Sequence, residues 1–160
     1  MSHSTRFQVA AVITAVWIGA ALITAAVVAP SAFAVLPSRT VAGTLIGSVL
    51  AALFLAGVVA GVFAAAMLAA PSRAGGPSRN ALIAALVVAA GCGFAQFLVT
   101  PKLDRLRAQI GGPVDALAAD DPRRVAFGLL HGYSVAGLGL ALVGAVACLV
   151  FLSLALRPRR

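Results

Sequence analysis

Asp120-Asp121-Pro122-Arg123-Arg124-Val125-Ala126-Phe127-Gly128-Leu129-Leu130-His131-Gly132-Tyr133-Ser134 opens the last hydrophobic segment of a 160-residue chain. It carries the only histidine placed inside such a segment. Asp121 has the chemistry of an N-cap, and Pro122 suits the first helical position, where its missing N–H costs nothing. Two arginines then mark a membrane surface. Beyond them the helix turns apolar, with Phe127, Gly128, His131 and Ser134 on one face by their i, i+1, i+4, i+7 spacing. A run from Pro122 to Leu156 that is free of charge after Arg124 predicts a membrane-spanning helix.

Three more such runs precede it. Phe7–Ala29 is about 34 Å of helix at ~1.5 Å per residue, enough to cross a core of about 30 Å. Pro30 is expected to end or kink it, with Pro37-Ser38-Arg39 as the turn. Thr40–Ala70 is about 46 Å of helix, so it must tilt, kink or project. Its pairs Gly43-x-x-x-Gly47 and Gly57-x-x-x-Gly61 each place two small residues on one face for close helix packing. Pro71–Arg79 reads as a loop, and Asn80–Thr100 is the third span, with Gln96 its one strongly polar interior residue. In Pro101–Ala119, Leu103, Leu106 and Ile110 share an apolar face opposite Lys102, Asp104, Arg105 and Arg107. This is a short interfacial helix or the third span continuing into water. Gly111-Gly112-Pro113 ends it.

The expected fold is therefore all-α and integral to the membrane. One four-helix transmembrane domain covers residues 1–160, with spans near 7–29, 40–70, 80–100 and 122–156 and a short amphipathic segment between helices three and four. Composition agrees: 62% hydrophobic and 10% charged residues stand far from the soluble average of about 45–50% apolar, and the mean hydropathy is +1.07. The first run is too long for the apolar core of a cleaved signal peptide, about 7–15 residues, and is read as retained.

The net charge of +8 does not point to nucleic acid. Lys102 and the arginines sit between or outside the apolar runs, as residues that touch anionic headgroups do; the expected partner is the lipid bilayer. Four spans put both termini on one side. That side holds six basic residues (Arg6, Arg73, Arg79, Arg157, Arg159, Arg160). The other also holds six (Arg39, Lys102, Arg105, Arg107, Arg123, Arg124), so the basic count is tied. Cytoplasmic termini are the working expectation.

Polar residues inside a membrane are costly and so mark candidate sites. Here they are lopsided. Ser31, Thr44, Ser48, Gln96, Thr100, His131 and Ser134 all belong to the half of the bilayer facing the outer connections. This predicts a shallow polar pocket centred on His131, with Ser134, Gln96 and Thr100 as the ligand or ion pathway. The alternative is structural: Ser and Thr bond the carbonyl one turn back, and a single His or Gln bridges helices for roughly 1 kcal/mol.

No enzyme is expected. The four acids lie in the connection between spans three and four or at its edges, leaving no Ser/His/Asp set, and no metalloprotease, phosphate-loop or dinucleotide motif occurs. No cofactor is expected either, since a bis-histidine haem needs a second intramembrane histidine. A soft-metal relay through His131, Cys92, Cys148 and Met67 is conceivable. Yet Cys92 lies two turns deeper than Thr100 and Cys148 near the far end of span four, so they cannot surround one ion, and a metal site stays open. The two cysteines read as small buried hydrophobes.

Trp17-Ile18-Gly19, Ala29-Pro30-Ser31-Ala32-Phe33, Leu36-Pro37, Ala42-Gly43, Thr100-Pro101-Lys102-Leu103 and Phe127–Ser134 occur in an order that resembles the transmembrane protein 205-like family. That family is a four-helix membrane domain whose bacterial members are of unknown function. The Trp-x-Gly element is more distantly similar to the copper-resistance D-like membrane proteins. The resemblance implies a four-helix integral membrane protein and hints at export or metal handling; the expected location is a bacterial inner membrane. Gly137 stands where the family pattern often has asparagine, which weakens a polar-pair mechanism there. Two functions are carried forward. One is transport or permeation of a metal ion or small solute through the polar half-pocket. The other is a non-catalytic accessory or scaffold subunit, in a homo-oligomer or larger membrane complex, packing through Gly43, Gly47, Gly57, Gly61, Gly128 and Gly132.

Overall fold

The structure is a computed structural model that describes residues 3–69 and 79–156. Four helices long and apolar enough to cross a membrane make up almost all of it. Helix α1 comprises an α-helical stretch His3–Ile23, a π turn Thr24–Val28 and a final stretch Ala29–Val35. Helix α2 is Arg39–Ala69. Helix α3 repeats the pattern of α1, with Arg79–Gly93, a π turn Phe94–Val99 and Thr100–Ile110. Helix α4 is Pro122–Ala155, and one 3-10 turn, Val114–Ala116, lies in the connection before it. Of the predicted loop Pro71–Arg79, residues 71–78 lie outside the described residues, as do 157–160, while Arg79 is already the first residue of α3.

Neither Pro30 nor Pro101 ends its helix; of the two expectations for Pro30, to end or to kink α1, the first does not hold. A proline inside a helix removes one N–H and crowds the preceding turn. The chain absorbs both defects by widening that turn: the N–H of Ala29 bonds the Thr24 carbonyl, and that of Thr100 bonds the Ala95 carbonyl, each five residues back. Such π bulges are rare and mark places where a helix can be re-aimed. The amphipathic segment is therefore the outer end of α3, not a separate helix. Leu103 is buried there and Leu106 and Ile110 are half-buried. Gly111, at φ +66°, stops it in the left-handed conformation that glycine adopts without a Cβ clash.

The helices stand at the corners of a square. Each of α1 and α3 packs against both α2 and α4, so α1 and α3 occupy one diagonal. Helices α3 and α4 approach closely: a Cβ on Gly91 would lie 2.8 Å from the Gly137 carbonyl oxygen. Gly137 is thus a backbone contact, which accounts physically for the lack of an amide side chain. At the level of the termini all four helices share a core, with Phe7 and Ala10, Ala64 and Leu68, Ala81 and Ala85, Cys148 and Leu152. Mid-membrane they share a second, of Trp17, Phe54, Cys92 and Ala141 among others. At the outer end the buried cluster shrinks to Ala32, Ala42 and Ile46 of α1 and α2, with Val99 and Leu103 of α3 buried apart from it. The missing material is a cavity.

Candidate functional site

A cavity of about 710 Å³ opens at the outer end of the bundle and is lined by all four helices. Helix α1 contributes Phe33 from beyond its π turn. Helix α2 contributes the stripe Gly43, Gly47, Leu50 and Phe54, spaced i, i+4, i+7 and i+11 down one face. Beyond its own π turn α3 supplies Thr100, Leu103 and Arg107, while α4 supplies Phe127, His131 and Ser134. The outer connection closes one side with Gly111, Gly112, Val114 and Asp115.

Polarity is graded along this cavity. At the rim Arg39 stands 3.8 Å from Asp115 in an exposed ion pair. Lower, the Arg107 side chain crosses from α3. Its Nη1 donates to Asp104 Oδ1 at 3.2 Å, and its guanidinium carbon lies 5.4 Å from the centre of the Phe127 ring, within cation–π range. The same guanidinium covers Gly47, whose absent side chain leaves room for it: a Cβ there would be 3.2 Å from Nη1. Below this level the α2 wall is Leu50 and then Phe54, and Phe54 is fully buried and shared with the central core. Ser134 is buried at the α4 wall.

Of the residues singled out from sequence, His131, Ser134 and Thr100 do line one cavity, in the predicted half of the membrane. Gln96 is not among its lining residues. It sits on the α3 π turn, with Oε1 buried and without a hydrogen-bond partner among the described residues. The hydroxyls mostly satisfy themselves locally: Thr44 donates to the Thr40 carbonyl, Ser48 to Leu45 and Thr100 to Ala95, at 2.8–2.9 Å. The glycine pairs behave differently from one another. Gly57 and Gly61 meet side chain and backbone of α1 and α3, as the spacing predicts. Gly43 and Gly47 border the cavity instead: a Cβ at Gly43 would meet nothing within 4 Å, and the nearest atoms to one at Gly47 would be the Arg107 guanidinium of α3 rather than helix backbone. Gly128 and Gly132 likewise have open space at the Cβ position.

Sequence reasoning placed Arg107, Arg39 and Asp115 at the membrane surface but not in the site. The signal for Arg107 was its position seven residues after Thr100, two helical turns along the same face. Cys92 belongs to the central core and Cys148 to the core at the termini. Among the described residues, no three His, Cys, Asp or Glu side chains come together as metal ligands.

The start of α4 is fixed as its sequence predicts. Asp121 Oδ1 accepts from the Arg123 backbone N–H at 2.8 Å, while Oδ2 accepts from its guanidinium at 2.8 Å. Hydrogen bonds from the Arg123 side chain, then its backbone N–H, hold the Asp121 carboxyl down at about 2. Arg124 donates to the Leu117 carbonyl at 2.8 Å, tying the connection to the helix whose next turns carry Phe127 and His131.

One family description, a domain of unknown function (DUF4149), matches residues 12–111, from α1 through the end of α3. No curated protein and no solved structure matches the chain.

Proposed function

We propose that this chain, which belongs to the DUF4149 family of membrane domains, is a solute-binding membrane protein and not an enzyme. Its ligand enters the outer cavity and stops at a packed mid-membrane floor, as in one closed state of a carrier. The observation that carries this reading is the cavity's dead end. All four helices line it, yet beneath Phe54 and Ser134 the bundle axis is filled by Trp17, Cys92 and Ala141. A pocket of this size falls within the ~300–1,000 Å³ typical of small-molecule sites. Two guanidiniums at the opening disfavour a free cation, and a single imidazole is a poor metal cage. The solute is therefore the better-supported cargo, ahead of a metal ion. The similarity to the transmembrane protein 205-like and copper-resistance D-like proteins, and cytoplasmic termini in a bacterial inner membrane, belong to this proposal as well.

Single-cysteine labelling tests it. Cys92 and Cys148 are both fully buried and serve as a silent background. Ser134→Cys is expected to react with a charged, membrane-impermeant thiol reagent applied from the outer-connection side, and Ala141→Cys to stay inert. An inert Ser134→Cys would remove the cavity reading, whereas equal reaction at both positions would replace a closed pocket by an open pore. A second reading, an accessory subunit, draws on Gly128 and Gly132, which offer a partner helix a close approach. Fixed partner proteins surviving purification in mild detergent, and lost in Gly128→Leu, would favour it.

A further inference from the structure

Resting on that reading of the cavity, we propose that its ligand is a single-chain amphiphile with an oxyanion headgroup. Arg107 receives the headgroup, and the tail runs down the α2 stripe towards Phe54.

The charge at the cavity wall is asymmetric. Two guanidiniums, Arg39 and Arg107, line it against one lining carboxylate, Asp115, which already faces Arg39, while Asp104 meets Arg107 from outside the lining. Arg107 has five N–H donors in a planar fork suited to a carboxylate or phosphate. Among the described residues only its Nη1 is engaged in a hydrogen bond, to Asp104. The guanidinium is held in place by the Phe127 ring on one helix and the glycine gap at Gly47 on another. It is therefore ordered before any ligand arrives, which lowers the entropic cost of binding.

Below Arg107 the chemistry changes. From Gly47 to Phe54 the α2 wall descends by about 10 Å at ~1.5 Å per residue. Along that depth it presents Leu50 and Phe54, with Leu103 on α3. A small polar anion would leave this lower half unfilled, and a neutral hydrocarbon would leave the guanidinium fork without an acceptor. An anionic head on a medium-length tail satisfies both. Such a molecule can come from the aqueous side as a free amphiphile or from the bilayer as a single-chain lysolipid; the anionic head and apolar tail are common to both.

The test uses the full chain in phosphatidylcholine nanodiscs with a decanoate probe carrying a photoreactive diazirine on its tail. Crosslinking is expected within Ile46–Phe54, to be competed by decanoate, and to need at least tenfold more decanol or acetate for the same competition. Arg107→Gln should lower the crosslinking at least tenfold, and Arg107→Lys should restore part of it. Competition by lysophosphatidylglycerol at decanoate-like concentrations supports the proposal with a single-chain bilayer lipid as source; its failure, with decanoate still competing, supports a free amphiphile. Decanol matching decanoate on the wild-type chain overturns the proposal without any variant, as does unchanged labelling in a folded Arg107→Gln. Gly43→Leu separates the two layers of argument, because it fills the cavity from a wall with free space. If labelling persists in Gly43→Leu, the cavity itself is not the site. If Gly43→Leu abolishes labelling while decanol equals decanoate, the cavity stands and only the oxyanion assignment falls.

Discussion

A Cβ added at Gly57 would fall within 2.8 Å of the Trp17 indole and run into the Cys92 sulfur. Trp17 is 4% exposed, and its Nε1 donates to the Leu53 carbonyl of α2 at 3.0 Å. One missing side chain thus lets α1, α2 and α3 meet directly beneath the cavity floor. Gly57→Ala is expected to cost about 1–3 kcal/mol by overpacking, read as an earlier midpoint of denaturant unfolding in micelles. Gly43→Ala, on the open cavity wall, should leave that midpoint unmoved. At the start of α4, Asp121 supplies a pH dependence whose sign is fixed. Its carboxyl titrates at about 2 in the folded chain, below the ordinary value of about 3.9. The cap's stabilisation is therefore complete above pH ~4 and lost as pH falls through ~2. Hydrogen exchange at the Arg123 and Arg124 amides should quicken over that window, and in Asp121→Ala it should be fast at every pH.

At the scale of the element, α1 and α3 are the helices with defects, and their outer ends carry Phe33, Thr100, Leu103 and Arg107 into the cavity wall. Replacing both prolines, Pro30→Ala with Pro101→Ala, restores two N–H donors and removes the steric reason for the wide turns. The double variant should melt at higher temperature and label more slowly at Ser134→Cys, since straighter helices fill the outer end. Faster labelling would mean that the π turns do not hold the cavity open. The four spans were legible because charge-free runs of more than twenty residues have one stable destination in lipid. Three of the four residues singled out for a polar pocket, His131, Ser134 and Thr100, line the cavity, and Gln96 does not. The π turns were not legible, because a proline in sequence says that a hydrogen bond is lost and not how the chain compensates. Arg107 was missed as a wall residue for a related reason. Helical periodicity gives a side chain's direction around its own axis, whereas Phe127 and Gly47, which position its guanidinium, come from other helices.

Across the whole molecule, packing tightens from the outer surface towards the termini, so the two ends of the bundle should differ in rigidity. Hydrogen exchange in nanodiscs is expected to be slowest around Ala85, Val88 and Ala145, in the two cores that all four helices share, and faster in the segments beyond the π turns. Uniform protection along α3 would contradict the division. The square arrangement carries a further consequence. A broken helix followed by an unbroken one occurs twice, in the same membrane sense, with broken helices on one diagonal and unbroken ones on the other. Half a turn about the membrane normal exchanges the two hairpins. Two copies of one broken-then-unbroken hairpin, paired about that axis, would have the same outline. The faces that each hairpin turns to the other are therefore of one kind, and the α1–α2 hairpin expressed alone is expected to self-associate in micelles, a strictly monomeric hairpin counting against the equivalence.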